Sequence, residues 1–549
     1  MPSVQASEAN VLIRFGGGVH SRASEADIND AECSYGYNFD IDVLNREYRP
    51  RAPFVLCSTA PNAARINGYA TFRDTSGNVT LLVQAGTTVY KYDGVSTWTS
   101  VGTVSASTRL RGRFEHISEI DGVVLITDLA LVDPVYEWDG TTFSTVAFTD
   151  ESGAAFGTFR ARYCHVDNER AIFANVYAGS ATSNLIVGSS RSDYKQISIA
   201  NRPSSALSEG DPFFIVQPDN GAINGMANAF GLLAFSSQYG DIYKLTGSSA
   251  KDFAMGGLFP RAGAAGTEAM VGVGSDIFFG RQGRIESLVA SDKYGDVESN
   301  DVSLQISDQI SDVATWTAAY NQRLQRAYFW PADGGTLYVY HYAFAPPPAS
   351  SQDPLAQALS GKKTAQPDAS PWALWKTTHT SDFAPTAVMP VYYPTNGLEY
   401  VLFGDASGNV YRLEGEYGAQ DAGTDDVTTM RLSKRFQMDA GAAAFNIVGY
   451  ISYRKADAFA ITMTLEASGE NIFDQAITIN VPAATGGSYY GGAAYYGGSN
   501  YYGLSFRQRV SRQKFALAGK TQEFQIRLAV TEDTLWRIEE IGLRFEAAN

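Results

Sequence analysis

Along most of the chain, hydrophobic and polar residues alternate over short runs that end in a glycine-bearing turn, as half-buried strands joined in hairpins do. The clearest run is Thr88-Val89-Tyr90-Lys91-Tyr92-Asp93-Gly94, followed by Trp98. A second copy stands at Val135-Tyr136-Glu137-Trp138-Asp139-Gly140, and Tyr90 and Tyr136 lie 46 residues apart. That spacing is close to one four-stranded propeller blade. Looser copies recur at Ile242 to Leu245, Arg284 to Leu288, Leu337 to Tyr340 and Val410 to Leu413, and Tyr243 and Ile285 lie a similar 42 residues apart.

The pattern divides the chain into three parts. Residues 1–66 read as an irregular arm with a short strand near Tyr37 to Asp42 and a short helix capped at Ser24 and running to Cys33. Residues 67–420 read as a β-propeller. Its first two blades fill 67–150, with Trp98 and Phe143 as equivalent wedges between blades. Later sections start near 159, 223, 269 and 326, and the last takes Trp372 to Trp375, Thr386 to Tyr393, Tyr400 to Phe403 and Asn409 to Leu413. A short amphipathic helix is expected within 289–315, from Ile306, Ile310 and Val313, and the Pro-rich stretch 346–371 is an excursion loop. Residues 421–549 carry longer strands suited to a β-sandwich, interrupted by a Tyr/Gly-rich loop at 486–503. The expected fold class is therefore all-β: an irregular β-propeller with an additional C-terminal β-sandwich-like domain.

Composition agrees with a folded, turn-rich β protein: 549 residues contain 52 Gly, 31 Tyr and 30 Phe but only 20 Pro. The formal net charge of −16 is spread over many short patches. Such a surface repels DNA at long range and disfavours a groove that grips a duplex, though not a wall past which DNA slides. Cys33, Cys57 and Cys164 lack metal-ligand spacing and are expected as buried thiols. No signal-length or membrane-length apolar run occurs, so stable membrane insertion is not expected and synthesis is placed in the cytoplasm.

Candidate chemistry is sparse. His20, His116, His165, His341 and His379 are dispersed and fit no zinc pattern. The acidic pairs Glu25/Asp27 and Asp40/Asp42 lack the arrangement of a paired acid and base. Asp421, Asp425 and Asp426 with Gly423 do not match a calcium loop. No nucleophile elbow or phosphate-cradling loop is present. No catalytic, cofactor-binding or metal-binding residues are therefore expected, and a non-enzymatic assembly component is. The residues marked as assembly contacts are Phe15, Arg46, Arg49, Arg51, Tyr489, Tyr490, Tyr495, Tyr496, Tyr501 and Tyr502. The glycines after Phe15 let backbone approach a neighbour closely. The arginines suit either a solvated edge or acidic loops of an adjacent subunit, and paired tyrosines on a Gly-rich backbone offer an amphipathic contact surface.

The opening Phe15-Gly16-Gly17-Gly18-Val19-His20-Ser21-Arg22, then Ala31-Glu32-Cys33, Asn38-Phe39-Asp40 and Leu44 to Pro53, resembles the start of structural proteins in tailed bacteriophages; Arg49-Pro50-Arg51 lacks the glycine usual after Arg-Pro. Gly221 to Gly225, Asp241 to Gly247 and Phe278 to Ile285 are similar to propeller strands of tail hub or nozzle (tail tubular) proteins of short-tailed phages. Together these similarities span most of residues 10–415. The resemblance implies a homo-oligomeric ring, commonly six-fold, in the virion tail below the portal and its adaptor. Genomic DNA would leave through its lumen without sequence-specific binding, and tail fibres or a needle would attach. The arm and the 346–371 excursion would then make subunit or adaptor contacts. Competing expectations are a propeller that binds or degrades polysaccharide, with two facing carboxylates in its central cavity, and a receptor-binding protein at the distal tail tip.

Overall fold

A computed structural model describes residues 10–15, 17–22, 28, 31–41, 48–74, 76–113, 122–179, 181–229, 232–259, 263–274, 276–290, 297–310, 315–332, 334–344, 370–376, 385–415, 421, 427–433, 436–437, 445–454, 459–467, 475–481, 510–519, 523–531 and 537–547. The chain is an all-β protein in which a β-propeller carries a β-sandwich. Among the described residues the helical elements are two three-residue 3-10 turns, and no helix is long and apolar enough to cross a membrane.

Among the described residues the propeller has seven four-stranded antiparallel blades, with the innermost strand first in each. Blade one comprises Ile66–Arg73, Val79–Ala85, Thr88–Tyr92 and Trp98–Thr103. Blade two comprises Leu110–Arg113, Val124–Asp128, Tyr136–Trp138 and Phe143–Thr145. Their inner strands pair in parallel, Arg111 opposite Tyr69, which fuses the two blades into one sheet. Blades three, four and five follow at Phe159 to Val216, Ile223 to Phe259 and Met270 to Asp301. Blade six is built from Trp316–Asn321, Arg326–Pro331, Leu337–His341 and, across the excursion, Trp372–Trp375. Blade seven has Ala387–Tyr392, Glu399–Gly404 and Asn409–Arg412, and its outermost strand is Val55–Thr59 from the beginning of the chain. That pairing closes the circle with main-chain hydrogen bonds between residues some 350 positions apart, as Thr59 opposite Asn409 illustrates.

Trp98 and Phe143 occupy equivalent sites. Each begins an outermost strand and stacks on a tyrosine of the strand beside it, Trp98 on Tyr92 and Phe143 on Tyr136, with ring centroids 4.5 and 4.7 Å apart. Trp98 also reaches the preceding blade, donating its indole N–H to Ser58 Oγ at 3.0 Å. Phe143 lies against Gly102 of blade one, where a Cβ would come within 2.5 Å of its ring.

The sandwich is made from both ends of the chain. One sheet runs Phe39–Ile41, Tyr48–Pro50, Arg537–Ala547, Phe445–Arg454 and Val510–Gly519, with Asn10–Arg14 also pairing with Arg537–Ala547. The other runs Cys33–Tyr37, Thr428–Ser433, Glu523–Thr531, Phe459–Ala467 and Gln475–Val481. Ile13, Ile451, Ile461, Met463, Ile526, Leu528 and Ile541 are buried in a core continuous with that of blades five and six.

Four readings of the sequence need correction. The arm is not a separate irregular segment: it supplies strands to the sandwich and the closing strand of the propeller, pairing with sheet edges formed by residues far along the chain. Trp372–Trp375 belongs to blade six, where it pairs with Leu337–His341, and not to the last section. Cys33 opens a strand instead of ending a helix, while residues 23–27 lie outside the described residues. Within 289–315 the chain forms the strand Val297–Asp301 and a 3-10 turn at Leu304–Ile306, since Ile306 and Ile310 are buried without a helical repeat between them. Val313 lies outside the described residues.

The glycines after Phe15 serve close approach, and the partner is the chain itself. Gly18 N–H donates to Ser370 O and Val19 N–H to Trp372 O, at 2.8 and 2.9 Å. A Cβ on Gly18 would sit 1.9 Å from the Trp372 carbonyl oxygen, which is backbone and cannot swing away. Gly18→Ala is therefore expected to lower stability by about 1–3 kcal/mol through overpacking, and urea unfolding measures it. A midpoint equal to that of the parent would show that the arm can lift off blade six without cost.

Candidate functional site

Among the described residues, polar chemistry gathers at the propeller axis and at the joint between propeller and sandwich. On the axis, inner strands of blades two to seven enclose a cavity of about 180 Å³. Arg111, Arg162, His165 and Asn228 are its principal polar lining, among apolar residues such as Leu125, Met226 and Met389. Glu268, on the segment entering blade five, crosses to blade two. Its Oε2 accepts from Arg109 Nη2 at 2.9 Å, and its Oε1 pairs with Arg111 Nη1. From blade three, Tyr163 O–H donates to Thr267 O at 3.1 Å. These contacts span the axis and fasten opposite blades to each other. No Asp or Glu is among the described residues lining the cavity, so the facing carboxylates that sugar hydrolysis needs are not found there.

The joint is a buried ionic network. Asp40, on the strand Phe39–Ile41, is fully enclosed; its Oδ2 accepts from Arg49 Nη2 at 2.9 Å and from Arg326 Nη2 of blade six at 2.8 Å. Arg326 Nη1 continues to Glu414 Oε1 at 3.2 Å, just beyond the last strand of blade seven, and Tyr328 O–H donates to the same oxygen. His341 of blade six faces Asp40 Oδ1 at 3.6 Å. Burial and the neighbouring Arg326 push the His341 imidazole down to about 3, against the pull of Asp40, so at neutral pH it is uncharged. Burial raises the Glu414 carboxyl above its ordinary range, opposed by Arg326.

Beside this network lies a second buried pair. Both nitrogens of the Arg51 fork bond Asp421, Nη1 to Oδ1 at 2.8 Å and Nη2 to Oδ2. Arg51 also donates to Asn38 Oδ1, Ala52 O and Lys376 O. Asp421 further accepts the Phe54 N–H at 3.1 Å. Their side chains are 1% and 3% exposed. Asp421 is thus an anchor for Arg51, in keeping with the mismatch to a calcium loop, and Asp425 and Asp426 lie outside the described residues.

The expected contact residues separate into two groups. Phe15, Arg49 and Arg51 are engaged inside the chain. Phe15 is buried and stacks on Tyr48, with the Arg431 guanidinium 5.1 Å from its ring centre. Their side chains are occupied in the core and the joint. Arg46, Tyr489, Tyr490, Tyr495, Tyr496, Tyr501 and Tyr502 lie outside the described residues, as does almost all of the 346–371 excursion. Of the histidines, His20 meets Glu32 at 3.0 Å, His165 bonds Asn228, and His116 and His379 are outside the described residues. Among the described residues no group of three or more His, Cys, Asp or Glu is placed to hold a metal ion. Cys33 is buried and its thiol is pushed up to about 11 by that burial, while Cys57 and Cys164 are half-buried.

Sequence reading missed Arg109, Arg111, Arg162 and Glu268 as a group. A signal existed: Arg109-Leu110-Arg111 and Arg160-Ala161-Arg162 are basic residues two apart at or near the start of two inner strands.

No protein-family model matches the chain, and no curated protein matches it. Among solved structures the chain is similar to BBS1N in complex with ARL6DN, at 10% identity over 66% of this chain and 98% of that one, with a TM-score of 0.41. It is also similar to YCF48 bound to D1 peptide, at 12% identity over 65% and 96%, TM-score 0.36. The Pan2 WD40 domain of Neurospora crassa matches at 8% identity over 66% and 97%, TM-score 0.37.

Proposed function

We propose that the chain is a non-enzymatic structural subunit of a short-tailed bacteriophage tail: one copy of a nozzle or hub ring below the portal and adaptor, through which genomic DNA is ejected. The ring assembles from protein made in the host cytoplasm and carries other tail parts. The order of the opening motifs supports this reading, and one structural observation carries it. The segment bearing those motifs is threaded through both lobes and held by buried ion pairs, which fasten propeller to sandwich. A wall that must hold its shape while DNA runs past it needs such a subunit. In this reading DNA passes through the opening of the ring, since each propeller axis is crossed by its own Arg109–Glu268–Arg111 clasp.

The acidic surface suits the same role. Burial nudges the Asp93 carboxyl upward, but the Thr97 side chain and the N–H groups of Val95, Ser96 and Thr97 outweigh it and hold it at about 2. Hydrogen bonds from their own hairpin turns also hold Asp74, Asp139 and Asp150 below the usual carboxylate range. These turns stay anionic at any physiological pH, and like charge keeps passing DNA from adhering.

Mass measurement and electron microscopy of the purified protein, beside intact particles, test the proposal. A closed ring of about six copies, with a bore not dominated by lysine and arginine and the same ring found beneath the phage head, is the expected result. A chain that stays single-copy in solution and is absent from the tail, or that cleaves a glycan, ends this reading.

A further inference from the structure

Among the described residues, the propeller axis holds a cationic group with no acidic counterpart. Arg162, on the inner strand of blade three, lines the cavity, and no carboxylate pairs with it among the described residues. Its guanidinium lies near the neutral Tyr163 phenol. Its Nε is buried without a hydrogen-bond partner. A buried N–H left without an acceptor costs about 1–3 kcal/mol, more on a charged group, so native proteins supply an acceptor, ordered water or an ion. Arg111, on the inner strand of blade two, lines the same cavity. Glu268 at the rim neutralises one guanidinium, but it is shared between Arg109 and Arg111, so among the described residues the three arginines around the axis keep an excess of positive charge. Asn228 adds a second amide hydrogen beyond the one given to His165 Nε2. One water needs about 10–15 Å³ of space, and the cavity offers about 180 Å³.

From this we infer that the propeller axis is a binding site for a small tetrahedral oxyanion of the inorganic phosphate type, held chiefly by Arg162, with Arg111 and Asn228 beside it. The planar forks of the two arginines match such an anion in charge and in geometry. Because Arg111 and Arg162 stand on neighbouring blades, the bound anion braces them, and it stabilises the folded chain by mass action. The inference is independent of the tail reading, since a single isolated copy contains the whole site.

The test is calorimetric titration of the full chain with inorganic phosphate at constant ionic strength, with chloride as the control. Saturable binding at one site per chain is expected, falling at least tenfold in Arg162→Gln while circular dichroism of that variant matches the parent. Heat indistinguishable from the chloride control, or affinity unchanged in Arg162→Gln, overturns the proposal. Should that variant not fold, alkylation of Cys164, which lines the same cavity, provides the decision in the unaltered protein by peptide mapping. Phosphate should slow modification of Cys164 relative to Cys57, and an unchanged ratio refutes the site.

Discussion

Replacing Asp421 by alanine is expected to lower unfolding free energy by about 3–5 kcal/mol and to split a single calorimetric transition into two. The reason is the state in which the substitution leaves Arg51. That guanidinium is 1% exposed and keeps only neutral acceptors once the carboxylate is gone. The Phe54 N–H loses its acceptor in the same step. Removing both charges should hurt less than removing one, because most of the cost is an orphaned buried cation and not the net worth of the pair. Arg51→Met combined with Asp421→Leu is therefore expected to be more stable than Asp421→Ala alone. The joint consequence follows from position: Arg51 precedes the closing strand of blade seven, Asp421 precedes the first long strand of the sandwich, and the Lys376 carbonyl follows blade six. Without the pair, the two lobes should unfold separately. A loss under about 1 kcal/mol with one sharp transition would show that the apolar contacts of the joint suffice.

The joint also explains what could and could not be read from the chain. Blades one and two were legible because each carries its whole pattern within about 45 residues: strand, Asp-Gly turn, and an aromatic a few residues on. Nothing in the periodicity of Val55–Thr59 names Asn409–Arg412 as its partner, and nothing near Cys33–Tyr37 points to Thr428–Ser433. Such pairings are fixed by which sheet edges remain open once the rest has folded, a property of the assembled molecule. Trp372–Trp375 was assigned to the wrong blade for the same reason, since the long excursion separates it from the strand it completes. The arginines were misplaced by a different route. Arg49 and Arg51 follow a stretch interrupted by proline and look solvated in one dimension. Only in three dimensions do Asp40 and Asp421 arrive to make their burial tolerable. One short repeat was legible and unused: Asp74-Thr75-Ser76-Gly77-Asn78 and Asp405-Ala406-Ser407-Gly408-Asn409. In both, the aspartate accepts the N–H groups of the serine and the asparagine and the asparagine amide, which closes a hairpin in blade one and another in blade seven.

Acid should loosen the joint, and His341 should set the range. In the folded chain this imidazole is held at about 3, mainly by burial and then by Arg326, whereas an exposed histidine titrates near 6.5. Between those values the unfolded chain carries a proton that the folded chain does not, so stability falls as pH drops from about 6.5 toward 3. The slope reaches about 1.4 kcal/mol per pH unit for one such group. Glu414 acts in the opposite sense: its raised carboxyl gives stability that is complete below the ordinary carboxylate pKa and fades as pH rises through its folded value. Arginine stays protonated across this range, so protonating His341 would add a buried cation beside Arg49 and Arg326. In His341→Gln the titrating group is gone while an N–H can still face Asp40. The variant is expected to lose little at pH 8 and to show a flatter decline in unfolding free energy from pH 6.5 to 4.5 than the parent. Parallel profiles for the two proteins would place the acid sensitivity elsewhere, and the joint would then be held by packing and not by the charge state of its buried centre.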